Sequence, residues 1–310
     1  MKLFKKKNTI DSDANRIQQA IIENERPYTL IVWPALLVTI LFMLPFIWGI
    51  GLTFTNYRLG AANVKFNWFQ NYWTILTSNN FLNAAWKTTQ FTLITTGIEL
   101  LLAFGLSVLM NTETIMAKVM RRLISLPLMI APVVATLALK LMLNSKFGIV
   151  NYLLSFFGLG DFAWGASPDS SMFTVILVDI WIFTPFMVLI ILAGMRGLPK
   201  DPIEAASVDG ASKFTTLKNI SFPIMLPTIL VAFIFRFIDC IKCFDVIWGM
   251  TAGGPGDSTT VFCILGYVLS FSSMDIAKGN TILVFVYIIN MFLGTKLINL
   301  WKESRARIGG

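Results

Sequence analysis

An all-helical, polytopic membrane protein is the fold class this sequence predicts, and three observations predict it. Hydrophobic residues make up 55% of the 310 and charged ones 14%, against roughly 45–50% and 25% in soluble domains. The apolar surplus falls into six blocks of about 20 residues or more, enough to cross a hydrocarbon core of about 30 Å. Lys and Arg gather in alternate connections between those blocks. Backbone polar groups must pair internally in lipid, so the blocks are helices.

Residues 1–28 form a basic tail, with Lys2, Lys5, Lys6, Lys7, Arg16 and Arg26. It is too polar after the Lys run for a signal peptide. Ile10, Ile17, Ile21 and Ile22 line one face of a short membrane-surface helix, or the tail is disordered. The spans follow within residues 29–301: Thr29–Phe54, Trp86–Met110, Leu123–Leu143, Met172–Met195, Pro223–Ile247 and Thr281–Trp301. The third is broken by Pro127 and Pro132 and carries Lys140. Residues 302–310 form a second basic tail. The connection between the first two spans holds Trp68, Phe69, Tyr72 and Trp73, which read as an interfacial aromatic belt or as a partner contact. Asn151–Gly158 reads as a short interfacial helix.

Seventeen Lys and Arg fall in the tails and in two connections, and five in the others. The positive-inside rule then expects both termini and the 196–223 connection in the cytoplasm. The net charge of +8 is thereby explained as topology rather than nucleic-acid binding. His is absent, which removes the commonest general base. No nucleophile–base pair or metal-ligand cluster is found, so no catalytic residue and no metal is expected. Cys240, Cys243 and Cys263 give no disulfide framework; the first two read as small buried residues one turn apart.

The one long polar segment that reads as folded is Pro199–Pro227. Asp201 is placed to N-cap a helix, with Pro202 at its first position. Glu204 meets the positive end of the dipole. Ala205 and Ala206 let another surface approach, and Gly210 ends the turn after Asp209. A short ordered helix between two spans is a docking piece.

Glu204-Ala205-Ala206, Gly210, Ile220 and Pro223 resemble the EAA loop of permease subunits in binding-protein-dependent ABC importers, with Phe222 where that family usually has Leu. Thr251-Ala252-Gly253-Gly254-Pro255, with Thr259, resembles the TxGGPxxxT signature of the larger, maltose-permease-like subunit of carbohydrate importers. Asp179–Phe186 and Leu126-Pro127 with Ala131-Pro132 resemble that group as well. The resemblance implies a type I importer permease fold in a prokaryotic inner membrane. It also implies a second EAA-bearing permease, an ATPase subunit dimer, an external solute-binding protein and a carbohydrate cargo. The sequence has no G-x-x-x-x-G-K-[ST] pattern, so ATP and its Mg are expected on the ATPase and no cofactor on this chain.

Ionisable residues inside spans need a reason, since each costs a few kcal/mol at bilayer depth. Glu99, Asp179, Arg236 and Asp239 stand out; Lys140 and Lys242 are near enough to span ends to snorkel. Arg236, Cys240 and Cys243 share a helix face, with Asp239 beside it, and Asp179, Phe183 and Phe186 share another. The resemblance implies that sugar contacts fall at these positions, with Leu128 and Pro132 added from the third span. Arg236 is either neutralised by Asp179 or Asp239, or free to meet substrate hydroxyls or an acidic group. Glu99 is expected to have a structural partner, such as a backbone or hydroxyl donor. Thr251, Gly253, Gly254 and Pro255 form an outer-mouth loop by resemblance, or a tight turn without contacts. The rival class is an ion-driven carrier or channel that uses Asp179, Arg236 and Asp239 as a relay. A permease for an acidic or non-sugar solute is the nearer rival.

Overall fold

The computed structural model describes residues 31–158, 160 and 162–308. The tail expected over 1–28, with its Lys run and Ile face, lies outside the described residues. The chain divides into two compact units, residues 1–52 and 53–310. The first contains α1 (Ile31–Thr53), an apolar helix of 23 residues, long enough to span.

The second unit is built on four long helices: α3 (Asn79–Met110), α7 (Pro168–Arg196), α9 (Lys213–Ile241) and α12 (Ile276–Ile308). α3 and α7 form the most extensive pairing, and α9 lies against both and against α12. The short helices fill the ends: α2 (Gln70–Leu76), α4 (Ile115–Ile124), α5 (Pro132–Met142), α6 (Ile149–Ser155), α8 (Asp201–Val208), α10 (Asp245–Thr251) and α11 (Phe262–Ser272). Two apolar clusters dominate the bundle. One joins Phe91, Val175, Val178, Ile182, Ile247 and Ile264; the other joins Ala103, Met187, Val188, Ile191 and Met225.

Three expected spans are corrected. The third is two pieces, 115–129 and 132–142, meeting at 100°. Pro132 explains the break: its ring bars the preceding residue from helical geometry. Ala131 accordingly sits at φ −58°, ψ 134°, and Ile130 is extended too. The fifth begins at Lys213 and stops at Ile241, because its first turns absorb the end of the polar connection through a π-type widening over Leu217–Ser221. The sixth reaches from Ile276 to Ile308, since its charged last turns still extend an unbroken helix. α11 lies in what the sequence presents as a connection, its apolar run being too short for a span. The expected Asn151–Gly158 helix is found as α6, and Gly158 closes it at φ +76°.

Pro185 lies inside α7 and Pro227 inside α9. Such prolines are tolerated in a bundle whose neighbours cover the freed carbonyls.

Candidate functional site

Two places gather the singled-out residues. The first is α8. Its first residue is Asp201, one position before the expected first residue Pro202, with Lys200 in the cap position and no side-chain cap bond. Pro202 is therefore at the second helical position, where its missing N–H still costs nothing. Asp201 and Glu204 supply the acidic first turn. At the other end, Asp209 is the C-cap and Gly210 takes φ +78°. The Ala211 N–H donates to the Ala206 carbonyl at 2.9 Å and the Gly210 N–H to Ser207 at 3.2 Å. That paired closure is a Schellman motif, which only a left-handed residue permits. Ser212 then caps α9, accepting from the Thr215 N–H at 3.2 Å.

Only Ala206 of α8 is buried, with Ile203 half-buried beside it; Pro202, Glu204, Ala205, Val208 and Asp209 are exposed. A groove of about 590 Å³ runs alongside, lined by Ile203, Ser207, Phe214 and Leu217 on one side and Val108, Met195 and Leu198 on the other. Ile220 is half-buried and Pro223 exposed on the same stretch of α9. Glu113, just before α4, fixes this end by bonding Arg196 at 2.9 Å. Arg121 reaches back to the Met110 carbonyl at 2.6 Å.

The second place is the interior, where Arg236 ties three long helices together. Its Nε and Nη2 donate to the two Glu99 oxygens on α3, at 2.8 and 2.9 Å. Nη2 also meets Asp179 on α7 at 2.6 Å, and Nη1 meets Asp239 at 3.2 Å. Glu99, Asp179 and Arg236 are 0%, 1% and 2% exposed. The Arg236 guanidinium lies 4.2 Å from the Phe183 ring centroid, a cation–π stack. Cys240 Sγ is 3.3 Å from Nη2, and Cys243 Sγ is 3.8 Å from Asp179 Oδ1. Arginine suits this duty because its planar fork satisfies a carboxylate with two bonds.

Glu99 has a structural partner, and it is Arg236 rather than a backbone or hydroxyl group. All three Arg236 nitrogens are engaged with carboxylates, and the side chain also lines the cavity described next. Glu99, Asp179 and Cys240 each offer a ligand atom within 4.8 Å of the others, and all three face Arg236.

A small cavity of about 160 Å³ opens beside this knot, lined by Pro132, Asp179, Phe183, Arg236, Asp239, Lys242 and Cys243, and by Phe244, Asp245 and Val246. Phe186, Leu128 and Cys240 are not among the lining residues, Cys240 being buried against Arg236. Phe186 lies about 10 Å along α7 from Asp179 and meets the Phe235 ring at 6.4 Å instead. Leu128 sits in the 3₁₀ turn before the 100° break. Lys242, Phe244, Asp245 and Val246 line the cavity as well, because α9 ends at Ile241 and the chain turns there instead of continuing the expected span. Lys140 donates to the Gly249 carbonyl at 2.9 Å.

The Thr251–Thr260 loop is stitched by its own threonines. Thr251 and Thr259 share a hydroxyl bond of 2.6 Å, and Thr260 Oγ1 donates to the Gly253 carbonyl at 3.0 Å. Gly253 has φ +92°, and a Cβ there would lie 2.8 Å from Thr260 Oγ1 and 2.9 Å from Ile264. The Gly254–Pro255 bond is cis. Contacts therefore exist, and they are internal.

A helical bundle of long apolar helices, with a surface helix between two of them and a polar interior, defines a membrane transport subunit. The chain belongs to the family described as binding-protein-dependent transport system inner membrane component, whose model matches residues 100–304. It is 32% identical over 222 residues to the trehalose/maltose transport system permease protein MalF of Thermococcus litoralis, covering 71% of this chain and 75% of that one. It is 33% identical over 227 residues to the sulfoquinovosyl glycerol transport system permease protein SmoG of Agrobacterium fabrum, covering 73% and 74%. A permease chain of a bacterial alginate ABC transporter, solved with a pentasaccharide-bound periplasmic protein, shares the fold at TM-score 0.77 and 20% identity, over 89% of this chain and 94% of that one.

Proposed function

We propose that this chain is the permease subunit of an ATP-driven importer that passes a carbohydrate through the bundle by alternating access. A separate ATPase dimer drives it, a second EAA-bearing permease completes the pathway, and an extracytoplasmic binding protein delivers the cargo. The names of the similar permeases, which refer to trehalose and maltose and to sulfoquinovosyl glycerol, support a glycoside as cargo. Both termini and α8 face the cytoplasm by the distribution of Lys and Arg.

The observation that carries this reading is α8 itself. It is a complete helix, closed at its C-terminal end, that leaves its acidic N-terminal turn exposed while Ala206 fastens it to the bundle. Helix-in-groove docking would give an ATPase its hold. The tight Gly210 closure and the capped start of α9 leave no slack, so a push on α8 passes to α7 and α9 as one body. The ion-driven alternative gives α8 no task and needs Arg236 free to relay charge, whereas its nitrogens are engaged.

Glu204→Lys tests the reading in the assembled transporter. The chain should reach the membrane in normal amount, while nucleotide-driven uptake falls by an order of magnitude or more. Uptake at the unsubstituted rate would overturn the lever.

A further inference from the structure

We infer that the interior cavity selects against anionic sugars, and that Glu99 is the residue that sets this selection by cancelling the charge of Arg236. The inference rests on the reading that this cavity carries the sugar.

The sequence offers Arg236 as an obvious anchor for a carboxylate or sulfonate on the cargo. The geometry removes that possibility. Glu99 holds Arg236 from behind with two bonds of 2.8 and 2.9 Å, at 0% exposure, so the guanidinium charge is matched before any substrate arrives. Of the residues that line the cavity, Asp179, Asp239 and Asp245 are acidic, and Arg236 and Lys242 are basic. Three carboxylates therefore stand against two cations in the lining, an excess of one, and Glu99 behind the wall engages Arg236 with two further bonds. Lys242 lies 3.4 Å from Asp239, so those two offset one another and Asp245 carries the excess.

A cavity of net negative charge with low-dielectric walls repels a like charge more strongly than water would. Hydroxyl groups meet the opposite situation. Asp239, about half exposed at 48%, and the exposed Asp245 offer oxygens that accept hydrogen bonds, and charge-assisted bonds of this kind are strong. The Phe183 ring, covered on one face by Arg236, keeps its place as part of the wall. The cargo class that fits is a neutral sugar, or an amino sugar whose ammonium is attracted to the same carboxylates. Glu99 touches no substrate; it is a positioning residue acting through Arg236.

The test uses the complete transporter in sealed vesicles with its own binding protein. Uptake of a neutral oligosaccharide and of a uronate oligosaccharide of matched length is measured for the wild-type chain, for Glu99→Gln and for Asp245→Asn. The ratio of the two rates is the readout, because the binding protein is common to all three. Wild type should favour the neutral sugar by on the order of tenfold or more, about 1.4 kcal/mol in transition-state terms. Glu99→Gln, which frees the guanidinium charge, should raise the uronate-to-neutral ratio severalfold even where both rates fall. Asp245→Asn, a surface change that folding tolerates, should raise it in the same direction. A purely structural role for Glu99 would lower both rates equally and leave the ratio unchanged. A wild-type chain that favours the uronate, or a ratio unmoved by both variants, overturns the inference. If neither sugar is carried under ATP, the functional reading has failed instead.

Discussion

The α8 end of the bundle and the knot around Arg236 are both polar interruptions of an apolar chain, yet they are built in opposite ways. α8 and its closing turn are made from eleven consecutive residues, Asp201–Ala211, every bond of the closure is local, and most of the side chains are exposed. The knot joins residues 137 and 57 positions apart, and its three charged members are almost wholly buried. The first is ordered without being covered, so its side chains remain available to something else. The second satisfies itself, and it fixes α3, α7 and α9 relative to one another. A transport subunit needs both: a handle that can be gripped and a bundle stiff enough to move when the handle does.

Breaking the knot should cost most. Arg236→Ala strands two buried carboxylates and should destabilise the chain by about 3–5 kcal/mol, seen as loss of folded protein in the membrane or a lowered thermal midpoint after extraction. Replacing Glu99, Asp179 and Arg236 together by apolar residues of similar size should recover most of that loss. A triple variant as unstable as the single one would show that the knot is not self-contained.

Next comes the Thr251–Thr260 loop, which resembles the knot in satisfying itself. Gly253→Ala meets both a left-handed φ of +92° and atoms at 2.8 and 2.9 Å, and should cost about 3 kcal/mol. Gly210→Ala is a gentler break at the other region. Its φ of +78° is strained for alanine but the space is open, so about 1 kcal/mol is expected, with uptake more affected than folding. Glu204→Lys should change stability least, by about 0.5 kcal/mol or less, despite its large effect on uptake. If stability and uptake fell together across these four, the two regions would not be distinct.

The same contrast explains what the sequence made legible. α8 could be read almost to the residue because Pro202, Glu204 and Gly210 act through their immediate neighbours; the start was off by one because a Lys–Asp–Pro run offers two places to begin. The interruption of the third span was visible in Pro127 and Pro132, but not the 100° turn, which depends on what α4 and α5 each pack against. Glu99 stands out in the sequence as costly, but its partner Arg236 cannot be read there, since no local signal fixes the rotation of α3 against α9. Phe186 shares a helix face with Asp179 yet lies two turns away, so a shared face did not make a shared cavity. Lys242, Phe244 and Asp245 were hidden by an overlong fifth span.

The most direct measurement is uptake of labelled sugar into sealed vesicles holding this chain and its partner permease, with and without the ATPase subunits. Uptake that requires both the ATPase and ATP, and that disappears with Glu204→Lys while the vesicles retain the protein, is the expected result. Sugar accumulation at an equal rate in vesicles lacking any ATPase subunit would contradict the account.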